Sequence, residues 1–248
     1  MAQSNLLSSD RRPIGGVSRV MGDTSIPLIE LTIPQLLKQT VAKYADRPAA
    51  VFSAVNERWT YADMDRRVDA LAAGLHKLGL SKGDRIGIWG PNSPEWVLTQ
   101  FATARLGLVL VNINPAYRLS ELEYALNKVG CRAIIVAERF KSSDYVGMIQ
   151  TLAPELASRK SGRLVASKLP RLEFVIQMGP KPAPGMLRFA DFLATPTAQD
   201  VAALDAITQS LDRHDPINIQ FTSGTTGLPK GATLTHRNVV NNAYSAVR

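Results

Sequence analysis

The chain has 248 residues, 45% of them hydrophobic and 20% charged, with a formal net charge of +8, which is enough apolar content for one large domain or two small ones. It holds no run of 18 apolar residues, so no membrane-spanning helix is expected, and its single cysteine excludes an internal disulfide framework and suits a reducing compartment. The positive charge does not point to nucleic acid: the densest basic stretch, Arg159, Lys160, Arg163, Lys168 and Arg171, has no aromatic residue before Phe174 and reads as a solvated connection, although a positive surface would still draw in small anions or make peripheral contact with an anionic membrane.

Residues 1–28 read as a flexible tail. The first 22 hold Arg11, Arg12, Arg19 and several serines, with Asp10 the one acid and no apolar core long enough for a secretory signal. Such a composition also suits a mitochondrial presequence, but the pattern is too irregular for a convincing amphipathic helix. A cytoplasmic location is therefore expected, with the mitochondrial matrix as the alternative.

Beyond the tail, helical and strand signals alternate. Ile33 to Tyr44 reads as a helix with Pro34 in its first turn, and Ala49 to Phe52 as a strand. Between Ala62 and Leu78, the residues Met64, Val68, Leu71, Leu75 and Leu78 recur at steps of four and three; Thr60 caps this helix, Asp63 sits in its first turn and Gly79 closes it. Arg85 to Trp89 is the next strand, and Ser93-Pro94-Glu95 opens a helix with cap, proline and first-turn acid in order. Leu108 to Ile113 is nearly all apolar, as in a parallel strand buried on both faces. Ser120 and Glu123 have the spacing of a capping box for a helix ending at Gly130. Cys131 then precedes a strand from Ala133 to Val136, where a buried, inert thiol is expected. Residues 140–170 carry no assignable pattern. Leu172 to Ile176 reads as a strand and Val201 to Gln209 as a helix. The repeated βα order predicts an α/β fold of stacked, mostly parallel sheets with flanking helices.

The most informative segment lies near the end. Ile217 to Phe221 alternates apolar and polar residues like a half-buried strand and runs into T-S-G-T-T-G-L-P-K-G, Thr222 to Gly231. Four hydroxyls donate to phosphate oxygens, glycines let backbone N–H groups turn inward, and Lys230 adds a full charge, which suits a loop wrapped around the polyphosphate of ATP. A Walker-type loop is excluded, because Pro229 precedes the lysine and Gly231 follows it. Ala232 to Leu234 reads as a short second strand, and Thr235 caps a helix starting near His236.

That segment, followed by A-T-L-T-H-R-N, resembles the phosphate-loop signature of the adenylate-forming superfamily, which includes acyl-CoA synthetases, peptide-synthetase adenylation domains and luciferases. W-T-Y-A-D-M (Trp59 to Met64), G-D-R-I-G-I-W-G-P-N-S (Gly83 to Ser93) and A-T-A-R-L-G-L-V-L-V-N-I-N-P (Ala102 to Pro115) are similar to earlier elements of the same family. V-N-I-N-P and P-L-I-E-L-T-I look most like its medium- and long-chain fatty acyl-CoA synthetases.

The resemblance implies that residues 29–248 form the N-terminal part of the family's large domain. It also implies a ligase that uses ATP and Mg2+ to convert a fatty acid through an acyl-adenylate to its CoA thioester. Thr222, Ser223, Gly224, Thr225, Thr226 and Lys230 would be its nucleotide contacts, with Gly227 and Gly231 shaping the backbone and Pro229 stiffening the turn. The family's adenine and ribose contacts, its magnesium-holding glutamate and its catalytic C-terminal lysine have no counterpart here, so the expectation is a fragment with no catalytic residue or metal ligand of its own, inactive alone. A truncated, non-catalytic nucleotide-binding or interaction remnant is the alternative. Trp89, Trp96 and Tyr117 are considered for an acyl pocket, with core packing favoured. His236 reads as a capping or packing residue rather than a base, and His76 and His214 lack metal-ligand spacing.

Overall fold

The computed structural model describes residues 25–158, 163–222 and 228–247. Helix α1, Ile33–Tyr44, starts as its sequence dictates: Thr32 and Gln35 exchange side-chain and backbone hydrogen bonds in a capping box, with proline in the first turn. Strand β1, Pro48–Phe52, pairs antiparallel with β2, Glu57–Thr60, in a separate two-stranded ribbon. Helix α2, Tyr61–Lys77, is capped by Thr60 with Asp63 in return, and buries Met64, Val68, Leu71 and Leu75 along the predicted stripe.

Strand β3, Arg85–Trp89, leads through the Ser93 cap into α3, Pro94–Leu106, which Gly107 ends in the left-handed region at φ 68°. The positive φ is what requires glycine there; a Cβ would also stand 2.6 Å from the tip of the Leu211 side chain, which would have to move aside. After β4, Val109–Ile113, helix α4 spans Leu119–Val129. Its opening corrects the expected box. Leu122 N–H already donates to Arg118 O, and the Glu121 carboxylate accepts from Arg118 N–H at 3.1 Å, so the helix begins two residues before the Ser120/Glu123 spacing suggests.

Strand β5, Ala133–Val136, is wholly buried and is followed by the short ribbon β6, Arg139–Phe140, and β7, Ser143–Asp144. Helix α5, Tyr145–Leu152, fills part of the stretch without a readable pattern; Asp144 caps it by accepting from Gly147 N–H at 3.0 Å. Then come β8, Phe174–Gln177, β9, Leu187–Arg188, and α6, Ala198–Gln209, the last beginning earlier than its periodicity shows because Thr197 and Asp200 cap it. Strand β10, Pro216–Thr222, β11, Lys230–Thr235, and α7, His236–Ala246, complete the order.

Among the described residues the large sheet has seven strands in the order β11-β10-β4-β3-β5-β8-β9, all parallel except β11, which runs antiparallel along β10. Strands β3, β4, β5 and β8 are buried almost throughout, which explains their mostly apolar sequences. A second, small cluster of Ile33, Ala104, Ile217 and Val240 joins α1, α3, β10 and α7. The buried Arg105 guanidinium ties α2, α3 and α6 together, with Asp69 at 2.9 Å, Asp205 at 2.5 Å and the Thr208 hydroxyl as its partners. Cys131 is buried, as expected, and burial pushes its thiol up to about 12.

Candidate functional site

Because β3, β4 and β10 are mutually parallel, their carboxyl ends open on one edge of the sheet, where α/β folds place ligands. Thr222 is the last residue of β10 and stands opposite Lys230, the first of β11. Both are exposed, and the Thr222 hydroxyl donates to Lys230 O at 3.4 Å across the mouth of the hairpin. Two of the six sequence-predicted contacts are thereby brought together. Ser223, Gly224, Thr225 and Thr226 lie outside the described residues.

Gly231 has a packing role. It faces Phe221 across the ladder, and a Cβ on it would come within 3.1 Å of the Ile219 side chain, so its absence lets β11 cross closely over Ile219 and Phe221. Beyond the strand ends lies a cleft of about 300 Å³ lined by Gly90, Asn92, Trp96, Asn112, Gln220 and Phe221, among others. Behind it, amides link three elements: Asn112 Nδ2 donates to Asn218 Oδ1, and Asn218 Nδ2 to Gln100 Oε1, each at 3.4 Å, joining β4, β10 and α3. Of the three aromatics considered for an acyl pocket, only Trp96 lines this cleft. Trp89 is buried against Tyr145, with ring centroids 4.4 Å apart, and its indole donates to Asn114 O; Tyr117 packs against the main core.

The far end of the hairpin is fixed by α7. Thr235 caps this helix in a box with Asn238. His236 is fully buried, and its Nδ1 accepts the Ile33 N–H at 3.2 Å; burial pushes its pKa down to about 4, so it is a neutral packing residue, as the sequence suggests. Next to it, Asn241 exchanges hydrogen bonds of 2.8 and 2.9 Å with the backbone of Ile29, and Glu30 pairs with Arg237 and Arg213.

One contact at this edge carries no sequence signal. Tyr124 on α4 donates its hydroxyl to Pro229 O at 3.3 Å and stacks edge-on against Phe221. It flanks the buried stripe of Leu122, Ala125 and Leu126 and belongs to no motif. Among the described residues, no group of three or more His, Cys, Asp or Glu side chains is placed to hold a metal ion, and no helix is long and apolar enough to cross a membrane.

The family described as AMP-binding enzyme matches residues 37–248. The medium-chain acyl-CoA ligase ACSF2, mitochondrial, of Macaca fascicularis is 47% identical over 232 residues, covering 93% of this chain and 37% of that protein. The putative acyl-CoA synthetase YngI of Bacillus subtilis (strain 168) is 41% identical over 216 residues, covering 87% of this chain and 39% of its own. The solved acetoacetyl-CoA synthetase of Streptomyces lividans has the same fold, with a TM-score of 0.70 at 21% identity over 88% of this chain and 32% of that one. This chain thus spans less than two-fifths of the length of these relatives.

Proposed function

The chain belongs to the AMP-binding enzyme family, and from that premise we propose that it is the N-terminal part of a ligase that activates a fatty acid with ATP and passes the acyl group to the thiol of CoA. The observation that carries this reading is the pairing of Thr222 with Lys230 at the carboxyl edge of the parallel sheet, at the base of a loop rich in hydroxyls and glycines.

In this reaction a carboxylate oxygen attacks the α-phosphorus of ATP and pyrophosphate leaves; the thiol then displaces AMP from the acyl-adenylate. Both partners in the first step are anionic, so the approach needs fixed positive charge and hydrogen-bond donors around the phosphates. Lys230 supplies the charge from the trailing arm, while Thr222, Ser223, Thr225 and Thr226 supply hydroxyls and Gly224 a backbone free to turn inward. Their work is to hold the β- and γ-phosphates, which fixes the α-phosphorus for attack. The described residues offer no cluster of ligands for magnesium, so the ion belongs to this reading through the family alone. Names of relatives guide the rest: "medium-chain" makes an acid such as decanoate the first to test, and "mitochondrial" favours the matrix over the cytoplasm.

The test is acid-dependent exchange of pyrophosphate into ATP by the complete protein that carries this chain. Lys230→Ala and the double substitution Thr225→Ala/Thr226→Ala are expected to slow exchange by about a hundredfold or more, the scale of losing a preorganised donor. Exchange at the unaltered rate in both variants would overturn the reading.

A further inference from the structure

We infer that Tyr124 is a positioning residue for the Thr222–Lys230 pair, holding the two arms of their hairpin together for a bound polyphosphate; the inference rests on the nucleotide reading above. One side chain, from a helix outside the hairpin, touches the residue that precedes each member of that pair. Its ring meets that of Phe221, immediately before Thr222, with centroids 6.4 Å apart at 63°. Its hydroxyl donates at 3.3 Å to the carbonyl of Pro229, immediately before Lys230.

The chemistry of those two neighbours explains why a tether is needed. The ladder between β10 and β11 ends at the Thr222–Lys230 pair, so Pro229 lies beyond it. Proline has no N–H, and its carbonyl is the only backbone group through which the trailing arm can be held at that point. Strand β11 is the sheet's edge among the described residues, largely exposed and paired there with β10 alone. Helix α4, by contrast, is anchored by buried Leu122, Ala125 and Leu126, so Tyr124 ties the exposed edge hairpin to a buried helix. The ring contact alone needs only phenylalanine. Among the described residues, the hydroxyl adds one hydrogen bond, to the Pro229 carbonyl.

If the hydroxyl raises the fraction of protein with the arms correctly spaced, its loss lowers apparent ATP affinity by that fraction. One net hydrogen bond of this kind makes the effect about three- to tenfold. The experiment compares the complete protein with its Tyr124→Phe and Lys230→Ala variants, measuring KM for ATP and for decanoate in pyrophosphate exchange, thermal melting, and amide hydrogen exchange of the nucleotide-free protein across residues 228–234. Tyr124→Phe is expected to raise KM for ATP about three- to tenfold, to leave KM for decanoate and the melting temperature unchanged, and to speed hydrogen exchange in that segment. A Tyr124→Phe variant with the original KM for ATP and the original hydrogen exchange, beside an inactive Lys230→Ala, overturns the role of Tyr124 and leaves the nucleotide reading standing. An active Lys230→Ala instead overturns the nucleotide reading, and Tyr124 then keeps a tethering role only if hydrogen exchange responds.

Discussion

Acidification should unfasten the N-terminal segment from α7, and His236 sets how far. The imidazole accepts from Ile33 N–H through Nδ1, so that nitrogen carries no proton in the folded protein. Burial is the main force lowering its pKa from an ordinary 6.5 to about 4; Asp215 and Asp212 oppose the shift, and Lys82 reinforces it. A group whose folded pKa is depressed stabilises the fold fully above its unfolded pKa and loses that contribution as pH falls towards the folded value. The window is therefore from 6.5 down to about 4. Each tenfold change in proton affinity is worth about 1.4 kcal/mol, so the whole loss amounts to roughly 3 kcal/mol, a large share of the stability of an ordinary domain. The assay is urea unfolding at several pH values, comparing the native chain with His236→Gln, whose amide can still accept from Ile33 but does not titrate. The native chain should lose roughly 3 kcal/mol more than the variant between pH 6.5 and 4. Equal pH slopes for the two proteins would refute the reasoning.

Two further outcomes follow from buried groups. Arg105→Ala strips Asp69 of its guanidinium and leaves it with Lys38 alone, so unfolding should become easier by about 3–5 kcal/mol. Arg105→Met, which refills the space, should lose less, and an alanine variant within about 0.5 kcal/mol of the native chain in urea would contradict the clamp. Cys131, with its thiol pushed up to about 12, should react with a disulfide reagent at pH 8 only as fast as the protein unfolds, and at once in denaturant. Stoichiometric labelling of the native protein within seconds would show the burial to be wrong.

Local signals carried most of the element boundaries. Ser93-Pro94-Glu95 put cap, proline and acid where α3 starts, and the stripe from Met64 to Leu75 sets the buried face of α2. The strand at Glu57–Thr60 was not legible, because on an exposed ribbon its Glu57 and Arg58 look like turn residues. Ser120 and Glu123 had the right spacing but lost to Arg118, whose N–H donates to the Glu121 carboxylate and whose carbonyl accepts from Leu122 N–H. At the candidate site, Thr222 and Lys230 stood out because both lie within one motif. Tyr124 did not, since it reaches the hairpin only because β10 inserts beside β4, a neighbour relation between segments about a hundred residues apart that no local pattern encodes. The partnership of His236 with Ile33, 203 residues away, was hidden for the same reason.

The placement of β10 against β4 also has a consequence in time. Asn112 must wait for Gln220 to leave the ribosome before that ladder can form, and at about 5–20 residues per second the delay is on the order of 5–20 s. Throughout that interval the Val109–Ile113 strand, with Leu110 and Val111 fully shielded in the finished fold, is a bare margin on the nascent chain. Translation speed and chaperone occupancy over this stretch should therefore govern the yield of native protein.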